Sequence, residues 1–150
     1  MPTHDPTLCR EQLATLMAAQ NVHLAALENL LTQEYDLLQA RDAESLEKAA
    51  TARQQCITDI LRIEDERGAL CRAAGRDADD AGLQSLLAWC DPNRLLAPAV
   101  REYLERTQRC RELNDRNGLL VNGRLQQQDR TYGPGSGESG GYGRKFTTRA

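Results

Sequence analysis

The residue types that most often carry acid–base or nucleophilic chemistry are thinly spread along this 150-residue chain. Its histidines are His4, near the start, and His23. An acid–base site needs several polar groups converging from different elements. Here the carboxylates alternate with arginines along helical stretches, the pattern of a solvated face. Glycines cluster only beyond Thr131, so no phosphate-cradling loop opens a helix. A lone histidine on a helical bundle can carry a phosphoryl group, which makes His23 the one candidate. Such sites usually place a cation shortly after the histidine. His23 is followed by Leu-Ala-Ala-Leu, and the first cation is Arg41. A packed histidine flanking an apolar seam fits better. The expectation is a protein that is not an enzyme, with no catalytic residue, metal or cofactor.

The cysteines are Cys9, Cys56, Cys71, Cys90 and Cys110. An odd number at wide spacings, without C-x-x-C, argues against a disulfide scaffold or a zinc site. Buried reduced thiols in a reducing compartment are expected.

The segment Asn114-Asp-Arg-Asn117-Gly118-Leu119-Leu120-Val121-Asn122-Gly123 is the least ordinary in the chain. Asn114 and Asn117 are three apart, hence on one helical face. Each interior glycine costs a helix about 1 kcal/mol relative to alanine, so the stretch is locally soft. Two readings stay open. The asparagines can cap or cross-bond within a bundle, or Asn-Gly can mark a turn. Alternatively the helix is kept adaptable for a partner, with Leu119, Leu120, Val121 and Leu125 as apolar anchors.

The elements that position these residues are helices. Apolar content is mostly Leu and Ala, with only six aromatics in the chain. A first helix over 7–40, with Thr7 as its cap, carries a heptad seam. The seam runs through Leu13, Met17, Gln20, Leu24, Leu27, Leu31, Glu34 and Leu38, widened by Leu16, His23, Leu30 and Leu37. Asp42 can cap a second helix over 42–74, with seam residues Leu46, Ala50, Arg53, Ile57, Ile60, Glu64, Arg67 and Cys71, and Gly75 as its stop. The very short junction forces an antiparallel hairpin, which looks self-sufficient. Asp79 or Asp80 caps a short helix over 80–90, and Asp91-Pro92 breaks the chain. Pro98 either starts or kinks a last helix over 98–128. Its seam is Leu96, Val100, Tyr103, Thr107, Cys110, Asn114, Asn117 and Val121, and it loses apolar character towards its end. The fold class is all-α: a long antiparallel hairpin with further helices in an elongated coiled-coil-like bundle. Residues 1–130 form one helical domain. Six glycines in the last twenty residues point to a disordered tail over 131–150.

The net charge is −3. Residues 130–150 carry Arg130, Arg144, Lys145 and Arg149 against Glu138, a net +3, which leaves −6 on residues 1–129. An acidic body argues against nucleic acid as partner. The longest uncharged run, Gln12 to Leu27, is too short and too polar to span a membrane. No secretory signal opens the chain. A soluble cytoplasmic protein is expected.

Taken in order, these segments resemble the FlgN family of flagellar type III export chaperones. The hairpin carries Leu30-Leu31, Glu34, Leu37-Leu38, Asp42 and Leu46, and the second helix closes with Glu66-Arg67, Leu70-Cys71 and Gly75. Most specific is Cys110-x-x-x-Asn114-x-x-Asn117-Gly118-x-Leu120, followed by Thr131-Tyr132-Gly133 before the glycine-rich tail. Arg53 stands where members often have Lys, and residues 76–97 have little to align. The resemblance implies a cytoplasmic, non-catalytic chaperone that binds the hook–filament junction proteins FlgK and FlgL and delivers them to the export apparatus, its gate and ATPase complex. It makes Asn114, Asn117, Gly118, Leu119, Leu120, Val121 and Leu125 the client-binding candidates, and Tyr132 a candidate for docking on the export gate. A general coiled-coil adaptor or a chaperone of another secretion system shares the heptads. Self-association is left open by them.

Overall fold

The computed structural model describes residues 5–132, with side chains through Gly123. It contains four helices: α1 (Pro6–Ala40), α2 (Ala43–Ala73), α3 (Asp80–Cys90) and α4 (Ala97–Tyr132). No strand occurs among the described residues.

Each boundary has a local cause. Asp5, not Thr7, caps α1: its carboxylate accepts from the backbone N–H groups of Thr7 and Leu8, and Pro6 takes the first helical position. A proline there sacrifices no hydrogen bond, so the residue before it inherits the cap. Arg41, at φ 56°, closes α1 in the left-handed region, and Asp42 caps α2 through Ser45 N–H. Gly75, at φ 76°, reverses the chain after α2 at the conformation glycine adopts most cheaply. Asp79 caps α3. Asp91 ends α3 and organises the next turn, its two carboxylate oxygens accepting from Leu95 and Leu96 N–H. Pro98 therefore lies in the first turn of α4 and kinks nothing. The last helix outlasts the expected 128 and is helical to Tyr132, the last described residue. Helical backbone thus covers the first two residues of the expected tail; the rest of that tail lies outside the described residues.

Helix α1 is the centre of the molecule. It packs against α2 on one side and α4 on the other, while α3 sits against α1 and α2. Every seam residue foreseen on α1 is buried, and Leu16, His23, Leu30 and Leu37 are half-buried beside it. Contacts fix the directions. Gln20 meets Glu64 and Arg67 while Glu34 meets Arg53, so α2 runs antiparallel to α1. Asn21 bonds to Ala99 and Leu31 to Asn117, so α4 runs parallel to α1. The core is leucine-rich below and increasingly polar above. Leu13, Met17, Leu24, Leu27, Ile60 and Leu86 are fully buried.

Two polar layers interrupt this core. In the lower one, Arg67 donates to Gln20 Oε1 at 3.1 Å, Gln20 donates to Glu64 Oε1 at 3.4 Å, and the Arg67 guanidinium lies 5.0 Å from the Tyr103 ring centroid. This layer joins α1, α2 and α4. In the upper one, Arg53 Nε stands 3.3 Å from Glu34 Oε1, both side chains buried. At that distance and depth the two opposite charges compensate each other's loss of water. Buried polar groups of this kind penalise a slipped register, because a slip leaves each against leucine.

Candidate partner-binding surface

The parallel α1–α4 seam is built from side chains that bond to backbone carbonyls. Cys110 Sγ donates to the Leu24 carbonyl at 3.5 Å, and Asn117 Nδ2 to the Leu31 carbonyl at 2.9 Å. Both donors and both acceptors are seven residues apart, so one heptad rung is repeated. Lower down, Asn21 Nδ2 donates to the Ala99 carbonyl at 3.0 Å. Between the rungs, Glu28 accepts from Arg106 at 3.2 Å and from Arg109. Above them, the Arg116 guanidinium stacks 3.7 Å from the Tyr35 ring centroid while its Nε donates to Asn117 Oδ1 at 3.4 Å. Both polar ends of the Asn117 amide are therefore engaged.

This arrangement divides the client-binding candidates. Asn114, Asn117 and Gly118 are buried on the side facing α1. Leu119 is 73% exposed. Leu120 and Val121 are half-buried. At 100° per residue, Leu119 lies about 160° around the helix from Asn117, whereas Leu120 and Val121 flank the seam on either side. The side chains of Leu125 and Tyr132 lie outside the described residues. Asn117 thus cross-bonds within the bundle, one of the two readings its type allowed, and the exposed apolar positions stand apart from it.

Among the described side chains of α4, which end at Gly123, the last apolar core residue is Leu113; the buried residues beyond it are Asn114, Asn117 and Gly118. The seam also runs out of support. With Asn117 level with Leu31, nine residues of α1 remain above that rung and fifteen of α4. Helix α4 therefore outreaches the hairpin tip by roughly 9 Å.

All five thiols are buried. Burial pushes each above the ordinary 9.0, Cys90 to about 11 and Cys110 to about 12. No group of three or more His, Cys, Asp or Glu suited to a metal occurs among the described residues. His23 is half-buried, and its carbonyl accepts from Cys56 Sγ at 3.2 Å. No helix of the described residues is long and apolar enough to cross a membrane.

Sequence reasoning missed the cleft between α3 and α4, about 740 Å³ in volume. Its signal lay in the apolar residues of 83–104, a stretch that overlaps 76–97, whose path the sequence did not define.

The family model described as FlgN protein matches residues 9–148 of the chain. Among solved structures, the chain is similar to one assigned as a flagella synthesis protein FlgN of Pseudomonas aeruginosa. The match has a TM-score of 0.66 and 26% identity, and covers 83% of this chain and 92% of that one. No curated protein sequence matches.

Proposed function

Because the chain belongs to the FlgN family of flagellar export chaperones, we propose that it holds hook-associated proteins of the FlgK and FlgL type in the cytoplasm and delivers them to the export gate and ATPase complex. It does so by binding alone, without catalysis. The observation that carries this reading is the upper half of α4. There the helix outreaches its support, exposes Leu119 and leaves Leu120 and Val121 half-covered. An unstructured client terminus folding as a helix would find apolar anchors there. Coupled folding of this kind spends part of the interaction energy on ordering, which keeps the complex releasable. Asn114, Asn117 and Gly118 serve the same surface from behind by holding α4 on α1; Leu125 is a further client-binding residue. Tyr132 docks on the export gate.

Calorimetric titration of the full chain with the C-terminal regions of FlgK and FlgL tests this. We expect saturable binding, weakened about tenfold or more by Leu119→Glu, with an unchanged melting curve. Removing one exposed apolar anchor is worth about 1–3 kcal/mol. Absence of binding to either protein would sink the assignment; binding indifferent to Leu119→Glu would move the site elsewhere. Tyr132→Ala is expected to weaken binding to the purified gate component and spare client binding. The reverse pattern would refute the docking role.

A further inference from the structure

Helix α3 packs on α1 and α2, and α4 packs on α1, but α3 and α4 make no close backbone approach to each other. The space between them is an open trough of about 740 Å³. On the α3 side it is lined by Gln84, Leu87, Ala88 and Asp91; on the α4 side by Ala97, Val100, Arg101 and Leu104. Both sets have the spacing i, i+3, i+4, i+7, which is one continuous face of a helix. Two such faces, each about 10 Å long, form the walls of a groove that takes two turns of a third helix.

The floor is apolar and uncovered. Leu87 and Val100 are half-buried, and Leu104 is 53% exposed. Leu95, beside the groove's loop in sequence, is 63% exposed. The polar side chains of the lining are Gln84, Asp91, Arg94 and Arg101, set beside an apolar stripe on both helical walls, a combination that suits an amphipathic peptide.

The charge specifies the peptide. The only carboxylate in the lining is Asp91, which is buried with both oxygens committed to Leu95 and Leu96 N–H. Its cations are Arg94 and Arg101, both exposed, and neither side chain has an ion pair or hydrogen bond among the described residues. Arg10, Arg41, Arg62 and Arg72 also lack a side-chain ion pair or hydrogen bond among the described residues, but only Arg94 and Arg101 line an apolar groove whose one carboxylate is already committed. Arg94 also sits at φ 58°, a conformation that glycine or asparagine adopts more readily. The turn thus puts a guanidinium on the groove's rim at a position where a small residue would be less strained.

We infer that the α3–α4 groove docks a short amphipathic helix whose apolar ridge, at i, i+3 or i+4 and i+7, is flanked by carboxylates. The occupant is an acidic segment of another protein. This surface is separate from the proposed client surface: Leu104 and Leu119 are fifteen residues apart on α4, about 22 Å. It does not rest on the client assignment.

The test uses the isotope-labelled full-length chain and two blocked fifteen-residue model helices. One carries a leucine ridge flanked by Glu, the other the same ridge flanked by Lys. The Glu helix should bind saturably and shift the amide signals of Leu87, Arg94, Val100, Arg101 and Leu104. The Lys helix should bind at least tenfold more weakly. Arg94→Glu/Arg101→Glu should lower affinity for the Glu helix at least tenfold and raise it for the Lys helix. Both positions are exposed, and a melting curve verifies folding. Leu104→Asp should abolish binding of either helix. Equal binding of both helices, or shifts confined to other surfaces, would overturn the proposal. So would groove signals that move with protein concentration alone, which would make a second copy the occupant. Groove signals that move on deletion of residues 133–150 would assign the groove to the chain's own terminus and overturn it equally.

Discussion

Gly82 and Gly123 are both helical glycines, and their surroundings make opposite demands. A Cβ at Gly82 would overlap the carbonyl of Asp77, because the loop before α3 folds back against its first turn. Gly82→Ala should therefore destabilise the fold by about 1–3 kcal/mol, as overpacking does. A Cβ at Gly123 would meet nothing within 4 Å. Gly123→Ala should stabilise α4 by up to about 1 kcal/mol by removing glycine's entropic cost. Urea denaturation of the two variants checks both signs. The sequence showed neither case, since a glycine's spelling is the same whether it answers a steric demand or merely tolerates freedom. The buried thiols were legible from count and spacing, and they add a pH dependence. Each has a folded value raised above 9.0, chiefly by burial, so the folded state prefers the neutral thiol. Their stabilising contribution is complete below pH 9 and is lost as pH rises through the folded values, to about 12 for Cys110. The unfolding midpoint should fall steadily above pH 9, and Cys110→Ser should flatten that fall. Burial encloses the Cys110 thiol and holds it neutral at pH 8, so a disulfide reagent should react with it only at the rate of opening.

Helix pairing shows where a one-dimensional pattern suffices and where it stops. The α1 seam was readable residue by residue, including Gln20 and Glu34 at positions where leucine would be expected, because one helix carries the whole periodicity. The partners of those polar residues were not readable. That Glu34 faces Arg53, and that Gln20 is shared with Glu64 and Arg67, depends on the relative register of α1 and α2. Register follows from the turn at Arg41-Asp42, where a one-residue change rotates every partner by 100°. Glu34→Leu alone should destabilise the hairpin by about 3–5 kcal/mol, since it strands part of the charge of buried Arg53. Glu34→Leu with Arg53→Leu should recover most of that loss while weakening the choice of register. Thermal melts would give the first effect. Broadened or doubled amide signals along α2 in the double variant would give the second. On α4, Asn114 and Asn117 were singled out by type and spacing, yet their side-chain direction came only with the position of Leu31. Asn117→Ala should raise hydrogen exchange in the upper half of α4 while leaving Leu96–Cys110 protected, because Glu28 and Tyr103 hold the lower half independently.

Across the whole molecule, the decisive feature is that α1 has two partners on different sides. The sequence pattern makes the first two helices look like a finished hairpin, because each has a seam and the connection between them is short. A seam records that a face is buried, not how many neighbours cover it. Adjacent buried residues give the width away: Gln20 turns to α2 and Asn21 to α4, as do the carbonyls of His23 and Leu24. Removing α4 would therefore uncover part of Leu24, Leu27 and Leu31, all at most 1% exposed in the fold. Leaving a leucine in water costs about 1.5–3 kcal/mol, and a small domain has only about 5–15 kcal/mol in total. Helix α2 cannot compensate, since its buried apolar residues are only Cys56, Ile60, Ile63 and Cys71. A fragment of residues 1–76 is accordingly expected to show weak helical circular dichroism that declines gradually with temperature, without a cooperative transition. Residues 1–132 should melt as one unit, close to the full chain. Adding a separate peptide of residues 90–132 to the short fragment should restore cooperativity, because the α1–α4 rungs are formed by side chains and need no covalent connection. A sharp two-state melt of residues 1–76 alone would mean that the hairpin is the folding unit and α4 merely rests on it. The proposed client surface would then be carried by a detachable arm rather than by a helix fixed at its lower end.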